Sequence, residues 1–590
     1  MAPRSASVVW RYFTLESAKN EVKCQICDKK LAYNKTTSPM IKHLRAVHKK
    51  EVTEEDQEDA EGETPPATKK RLIQPSIEQQ FGAKMPYPAQ SLPKKNLDQK
   101  LIEFIIKDMQ PLSVVEDKGF RAFVNTLDPK YRIPCRQTTK QLILERYSKE
   151  KQALKDQLTA VQSVCLTTDL WTSVAMESYI SVTAHYISDD FSLQSKLLEV
   201  EGFEGRHTAD AIATHLRSII LEWGLQDKVF CVTTDNGANV VAAVKKLNMR
   251  HLPCFAHTLN LIVKDSLAAV TELDDLRSKV RRVVGFFRSS CTAKEKLDNL
   301  QKDLKMPQLR LLQEVETRWN STYLMLERFF NLREPLSAAM SNMDLPMFFP
   351  QDWAAMADAI EVLRPFLEVT EEMSAESNVT SSKLIVLVRN LQKLTRNMAN
   401  SYAPESVGHR LAGSLNKHLT KRCGDYESTR FLAVSMLLDP RFKKVAFGID
   451  ANAENAIRAL TSEASQHNAE SQPEATTSQH IQQTGASCVW SDFDSKVKQQ
   501  INTNVDTITE VKLYLSQPNI SRMSSALDFW KEQGQKFPNL QTLTKKYLAI
   551  MATSVPSERV FSKSGELISK RRSCLKSSQV KRMMFLHYNM

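Results

Sequence analysis

Apolar and polar positions alternate in different ways along the chain. Between about residues 163 and 263, short apolar runs are separated by turn residues, a pattern that predicts strands. The run 163–166 leads through Thr167 and Thr168 to Asp169 and Trp171, and the run 229–232 ends at Asp235, followed by Asn236 and Gly237. Buried strands that deliver a carboxylate to a turn have this form, so two carboxylates are expected at one edge of one sheet. Residues 179–187 and 191–200 predict two further strands, paired through Ser188, Asp189 and Asp190. A helix follows, capped by Thr208, with Ile212, Leu216, Ile219 and Trp223 on one face and Gly224 at its end.

Elsewhere the period is helical. Leu101, Phe104, Ile105 and Met109 share a face in a segment that Pro134 interrupts, so residues 96–160 are expected to form a small helical domain. Residues 265–535 read as mostly helical, with Leu273, Leu276, Val280, Val283 and Phe287 in one stripe and Trp353, Met356, Ile360, Leu363 and Leu367 in another. Both stripes are expected to face a core. An acidic run followed by Thr64, Pro65 and Pro66 marks a disordered linker within 51–95, and residues 451–487, rich in Ala, Glu, Ser, Gln and Thr, read as a disordered loop.

A chain of 590 residues is too long for one core, so several domains are expected. The net charge of +12 favours a polyanionic partner without saying which. Lys69, Lys70 and Arg71 are either a nuclear import signal or a solvated loop. The first ten residues lack the apolar core of a secretory signal, and no apolar stretch approaches the roughly 20 residues of a membrane span. Only Cys24 and Cys27 are close together among the ten cysteines, which suits a reducing, intracellular setting.

Those two cysteines carry the first chemistry. Cys24 and Cys27 enclose two residues, and His43 and His48 lie further on at the spacing of two imidazoles on one helix. This is a tetrahedral zinc set, and a segment so short needs the roughly 10–16 kcal/mol that structural zinc supplies. Lys42, Arg45, Lys49 and Lys50 lie on or beside the histidine helix, within reach of phosphates. With Trp10 and Phe13 ahead of the first cysteine, residues 7–50 resemble the BED-type zinc finger, a DNA-binding module.

Two aspartates on neighbouring strands, joined by a third acid, are suited to hold two Mg2+ ions for phosphoryl transfer. The third acid must come from elsewhere. Ser554 and Pro556 look like a helix start, which puts Glu558 in an early turn.

Taken together, the ordered pieces TTDLWTS, TTDNGAN, PCFAHTLNL, ETRWNSTYLMLER and PSERVFSKSG resemble the hAT superfamily of DNA transposases, over nearly the whole chain. The resemblance implies a multidomain α/β plus α protein: an N-terminal zinc finger, an RNase H-like mixed sheet core split by a large helical insertion, and a helical C-terminal dimerisation segment. Its expected parts are 1–50, finger; 51–95, linker; 96–160, helical domain; 161–264, first part of the core; 265–535, insertion; and 536–590, core completion and dimerisation. By motif the catalytic acids are Asp169, Asp235 and Glu558, which would also be the Mg2+ ligands. Cys254 and His257 match a Cys-x-x-His pair near the active site, where the histidine contacts DNA; simple packing is the alternative. Arg318 and Trp319 match an insertion-domain tryptophan that stacks on an unpaired base, with a core tryptophan as the alternative. Phe585 and Leu586 would belong to an apolar dimerisation face.

The implied partners are double-stranded DNA and further copies of the chain, as a homodimer or higher homo-oligomer, with no membrane, and the implied compartment is the nucleus. One finger reads few bases, so dimerisation or a second DNA-contacting region is also implied. Two functions fit: an active cut-and-paste transposase, or a host transcription regulator built on a transposase fold. A SUMO ligase-like regulator is a further alternative on which no motif bears.

Overall fold

The computed structural model describes residues 8–16, 21–33, 36–49, 85–173, 176–375, 378–470, 503–567 and 576–590. Residues 51–84 of the linker expected at 51–95, the basic triplet at 69–71, Lys50, and residues 471–487 of the expected loop lie outside them; the end of the expected linker is corrected, because the helix Leu92–Lys107 begins within it. The chain divides into two compact units, Met1–Met85 and Pro86–Met590.

In the first unit a short 3-10 helix, Val8–Arg11, precedes an antiparallel sheet of β1 (Phe13–Glu16), β2 (Glu21–Cys24) and β3 (Lys30–Ala32), and then α1 (Ser38–His48). Its core consists of Val9, Phe13, Val22, Cys24, Met40 and Leu44, with Trp10 packed edge-on against Tyr33. So few buried side chains fall short of what an independent fold needs without a metal.

The second unit is built on a sheet in the order β6-β5-β4-β7-β8, formed by β4 (Val164–Thr172), β5 (Ser178–Ile187), β6 (Leu193–Gly202), β7 (Val229–Thr234) and β8 (His251–Pro253). β5 runs antiparallel to both its neighbours, while β4, β7 and β8 are parallel. The central strands are buried on both faces, which explains their near-continuous apolar runs. The helix Ala209–Glu222 crosses from β6 to β7. Its cap is Thr208, whose hydroxyl accepts from the Ala211 N–H, and Gly224 follows it at φ +65°, a backbone shape that favours glycine.

Each face of the sheet has its own core. On one face Leu166 and Val232 pack with Ile212, Leu216 and Trp223, and also with Leu101, Ile105, Ile143 and Tyr147. The segment expected as a small helical domain at 96–160 therefore shares the core of the sheet. On the other face Cys165, Cys231 and Leu252 lead into the long helical region, where both expected stripes face inward: Leu273 to Phe287 are buried, as are Met356, Ile360 and Leu363, with Trp353 and Leu367 packed against them. The expected loop at 451–487 is corrected in its first part. Asp450–Glu470 is a helix that buries Ala453, Ala456, Leu460 and Ala464. Small side chains at helical spacing allow close packing without the large aromatics whose lack suggested disorder.

The C-terminal helix Ser577–Asn589 lies along the edge strand β6. The Asn589 side chain accepts from the Leu197 N–H at 3.1 Å and donates to the Leu197 carbonyl at 2.8 Å. Phe585 sits edge-on to Tyr147, and both Phe585 and Leu586 are buried in the core of the chain itself. They do not form an exposed dimerisation face, because the helix spends its apolar side on the sheet. Several basic residues near the C-terminus also have acidic partners elsewhere: Lys545 pairs with Asp189, Lys546 with Glu463 and Lys581 with the buried Glu199.

Candidate active site and zinc centre

In the first unit Cys24 ends β2, Cys27 lies in the turn after it, and α1 carries His43 and His48. All four donor atoms lie within 4.8 Å of one another. The Cys27 Sγ to His43 Nε2 distance is 3.2 Å and the Cys24 Sγ to His48 Nε2 distance is 3.6 Å. Tetrahedral zinc with ordinary bond lengths gives S···N edges of roughly 3.5 Å, so the donor set fits this ion. Phe13 packs edge-on against the His43 ring and fixes its orientation. Lys42, Arg45 and Lys49 are exposed.

In the second unit Asp169 lies near the end of β4 and Asp235 just beyond the end of β7. These strands are parallel neighbours, and Thr167 is registered with Thr233, two residues before each acid. Both carboxylates therefore reach the same sheet edge. Asp235 is held by an Asx turn in which its Oδ1 accepts from the Gly237 N–H at 3.1 Å. Asn236 donates from Nδ2 to Thr258 Oγ1 at 3.1 Å, so the Asp-Asn-Gly turn is anchored on both sides.

Glu558 arrives from far along the chain, in the first turn of the helix Val555–Leu567. That helix packs on β4 and β5, and Ser557 Oγ shares a hydrogen bond of 2.9 Å with Thr167 Oγ1 across 390 residues of sequence. The segment before it is tied down at further points. Thr233 Oγ1 donates to the Met551 carbonyl at 2.6 Å, the Phe255 N–H donates to the Ala552 carbonyl at 2.9 Å, and the Ser554 N–H donates to Cys254 Sγ at 3.2 Å.

The other two acids act on Asp169. Burial pushes the Asp169 carboxyl up to about 7, and the neighbouring charges of Glu558 and Asp235 push it the same way. Hard carboxylate oxygens crowded in this manner fit a divalent cation, which would supply the missing counter-charge. Among the described residues the zinc set is the only group of three or more side chains gathered closely enough to hold one metal ion.

Cys254 caps the helix Phe255–Ala268 and is fully buried, its thiol pushed up by burial. It is a packing and hydrogen-bonding group. His257, in the first turn of the same helix, is half-buried. One turn further on, Asn260 grips the start of the insertion helix Trp319–Asn331: Nδ2 donates to the Thr317 carbonyl at 3.2 Å and Oδ1 accepts from the Trp319 N–H at 3.0 Å. Arg318, held between those two bonds, is exposed, whereas Trp319 is only 2% exposed and belongs to the helical core. The stacking role expected of Trp319 is thus corrected to a core role, since an indole packed on all sides offers no face to a base. Sequence reasoning missed Asn260, Thr167, Thr233 and Ser557. All lie inside the motifs it singled out, but their partners are remote in sequence.

Fold and site define a protein class: an RNase H-like core with two strand-borne aspartates and a helix-borne glutamate, carrying a zinc finger. The chain matches the BED zinc finger over residues 7–49, the ZBED1 RNase-like domain over 167–257, the ZBED1 RNase-like helical domain over 252–362, and the hAT family C-terminal dimerisation region over 510–590. It is 25% identical to the human zinc finger BED domain-containing protein 4, over 100% of this chain and 52% of that protein. It is 26% identical to the putative AC transposase of Zea mays, over 82% of this chain and 64% of that protein. The rice protein RICESLEEPER 3 is 25% identical over 98% of this chain and 82% of its own length. The chain thus spans about half the length of the human relative and less than two thirds of the maize one. These matched domains and relatives are those of the BED-finger, hAT transposase-derived family, which the chain resembles.

Proposed function

We propose that the protein is a nuclear, zinc-dependent DNA-binding protein that self-associates and retains the strand-cleaving site of a DNA transposase. The observation that carries this reading is the convergence of Asp169, Asp235 and Glu558, from two strands and a remote helix, close enough for Glu558 and Asp235 to raise the Asp169 pKa. Mg2+, when bound there, supplies charge stabilisation to the attacking and leaving oxygens of a phosphodiester. Asp169, Asp235 and Glu558 would hold it. The exposed Arg318, positioned by Asn260, and the half-buried His257 would bind and orient the DNA backbone. The finger would add phosphate contacts through Lys42, Arg45 and Lys49, and two copies joined through the C-terminal region would lengthen the site read.

The test is cleavage of DNA that carries the terminal sequences flanking the genomic copy of the gene, with purified protein and Mg2+ or Mn2+. Nicked or hairpin products that vanish in Asp169→Asn and Glu558→Gln, with DNA binding intact, support the transposase reading. Binding without product under either metal overturns it in favour of a DNA-binding regulator on an idle site.

A further inference from the structure

The two Thr-Thr-Asp triplets, 167–169 and 233–235, end in the aspartates, and the reading of the site leaves their threonines without a role. Alternation along a strand divides these threonines. Thr167 and Thr233 lie two residues before their acids and so share the acids' face of the sheet, while Thr168 and Thr234 point the other way. The hydrogen bonds follow this division. Thr168 Oγ1 donates to the Ser181 carbonyl on the adjacent strand, and Thr234 Oγ1 bonds the Asp235 carbonyl and His251. Thr167 and Thr233 instead reach the remote segment that carries Glu558.

We propose that Thr167 and Thr233 are positioning residues that hold Glu558 in register with Asp169 and Asp235. This deepens, and rests on, the reading of the three acids as one site. The two threonines are a registered pair on neighbouring strands and grip the segment on either side of its turn into the helix Val555–Leu567. Thr233 bonds the Met551 carbonyl ahead of the turn, and Thr167 bonds Ser557, next to Glu558. The Thr167 hydroxyl is itself fixed from behind, 3.0 Å from His185 Nε2, and His185 Nδ1 lies 2.9 Å from Ser195 Oγ. Thr167, Thr233, His185 and Ser557 are all buried, at most 1% exposed, so no water competes for these bonds.

The chemistry separates positioning from filling. Valine has the shape of threonine and suits a buried strand better, because a buried hydroxyl costs stability unless it is bonded. At both places the chain instead carries a hydroxyl whose bond leads to the third acid. With one bond on each side of the turn, the helix is restrained against rocking about its first turn, the motion that would swing the Glu558 carboxylate out of line. A displacement of about 1 Å in a reacting group costs up to roughly a hundredfold in rate.

The test compares the full-length, zinc-loaded wild type with the double variant Thr167→Val/Thr233→Val and with Thr167→Ser/Thr233→Ser, which keeps both hydroxyls. Hydrogen exchange is read at the amides between 555 and 560, Pro556 having none, with β5 amides as the control for global stability, and metal-dependent cleavage is resolved into kcat and KM. The valine variant is expected to lose about tenfold in protection at 555–560 with β5 unchanged. Its kcat is expected to fall roughly tenfold to a hundredfold at constant KM, and the serine variant restores both quantities. Unchanged exchange at 555–560 overturns the proposal, as does an equal loss of protection in β5, which would make the threonines ordinary core residues. If the wild type itself cleaves nothing, the nuclease reading fails, and the exchange comparison still decides whether these threonines hold the helix.

Discussion

Asp169 and Glu558 belong to a strand and a helix at opposite ends of the second unit's sequence, yet the charge on one raises the pKa of the other. Such coupling in a half-buried site shows that the helical insertion between them is folded out without spoiling their register. The elements that hold the register also carry consequences that can be measured.

Zinc removal is expected to unfold the first unit alone. Its six-residue core cannot replace the roughly 10–16 kcal/mol of the metal, whereas the second unit has large cores of its own. Chelation, or Cys24→Ala, should abolish specific DNA binding and leave the second unit's thermal transition unmoved. Loss of that transition on chelation would contradict this separation.

His185 predicts an acid-side loss of stability. Burial lowers its pKa to about 3, against about 6.5 for an unfolded histidine, so below 6.5 the unfolded state takes up a proton that the native state refuses. This contribution is fully present above pH 6.5 and is lost as the pH falls towards 3, at about 1.4 kcal/mol per unit, or roughly 3 kcal/mol by pH 4.5. The raised Asp169 carboxyl gives a slope of opposite sign over the same range, so the His185 contribution is read as a difference: denaturant titrations from pH 7 to 4.5 of wild type and His185→Gln should diverge by that slope, even if the variant is less stable throughout.

Trp319 is expected to matter for stability and not for base stacking. Trp319→Ala should cost about 3–5 kcal/mol of unfolding free energy. Trp319→Leu, which keeps an apolar side chain in the core but has no ring to stack, should leave affinity for DNA with an unpaired base within about twofold, where loss of a stacking platform would cost about fivefold or more. Fluorescence anisotropy on such DNA separates the two.

Phe585→Ala should likewise act within one chain. Removing a ring packed against Tyr147 and Trp223 is expected to cost about 3–5 kcal/mol and to lower the melting temperature at every protein concentration. A variant that stays as stable as the wild type and turns monomeric in light scattering would return this residue to the subunit interface.

The strands and the two aspartates were legible in the chain because strand burial and turn chemistry are local, and Thr208 and Gly224 announced the limits of their helix in the same way. Ser554 and Pro556 marked the helix start beside Glu558, but nothing local marked its role. A Ser-Glu-Arg triplet acquires meaning only through its bond to β4, and it was reached through family resemblance. Burial of Trp319, Phe585 and Leu586 depended on which surface each helix turns to its neighbours, which periodicity does not specify. The helix Asp450–Glu470 was hidden because alanine packs by its smallness, while composition registers only the absence of bulk.

The bond between Thr167 and Ser557 also sets a clock. At about 5–20 residues per second, a ribosome needs roughly 20–80 s to make the 390 residues that separate them. The edge strand β6 waits a similar time for Asn589, which lies 392 residues after Leu197. During that interval the nascent sheet is open, with its acids unmatched and one edge bare, so a ribosome-bound chain has no competent site. Any chaperone dependence of this protein should therefore fall on the unfinished sheet.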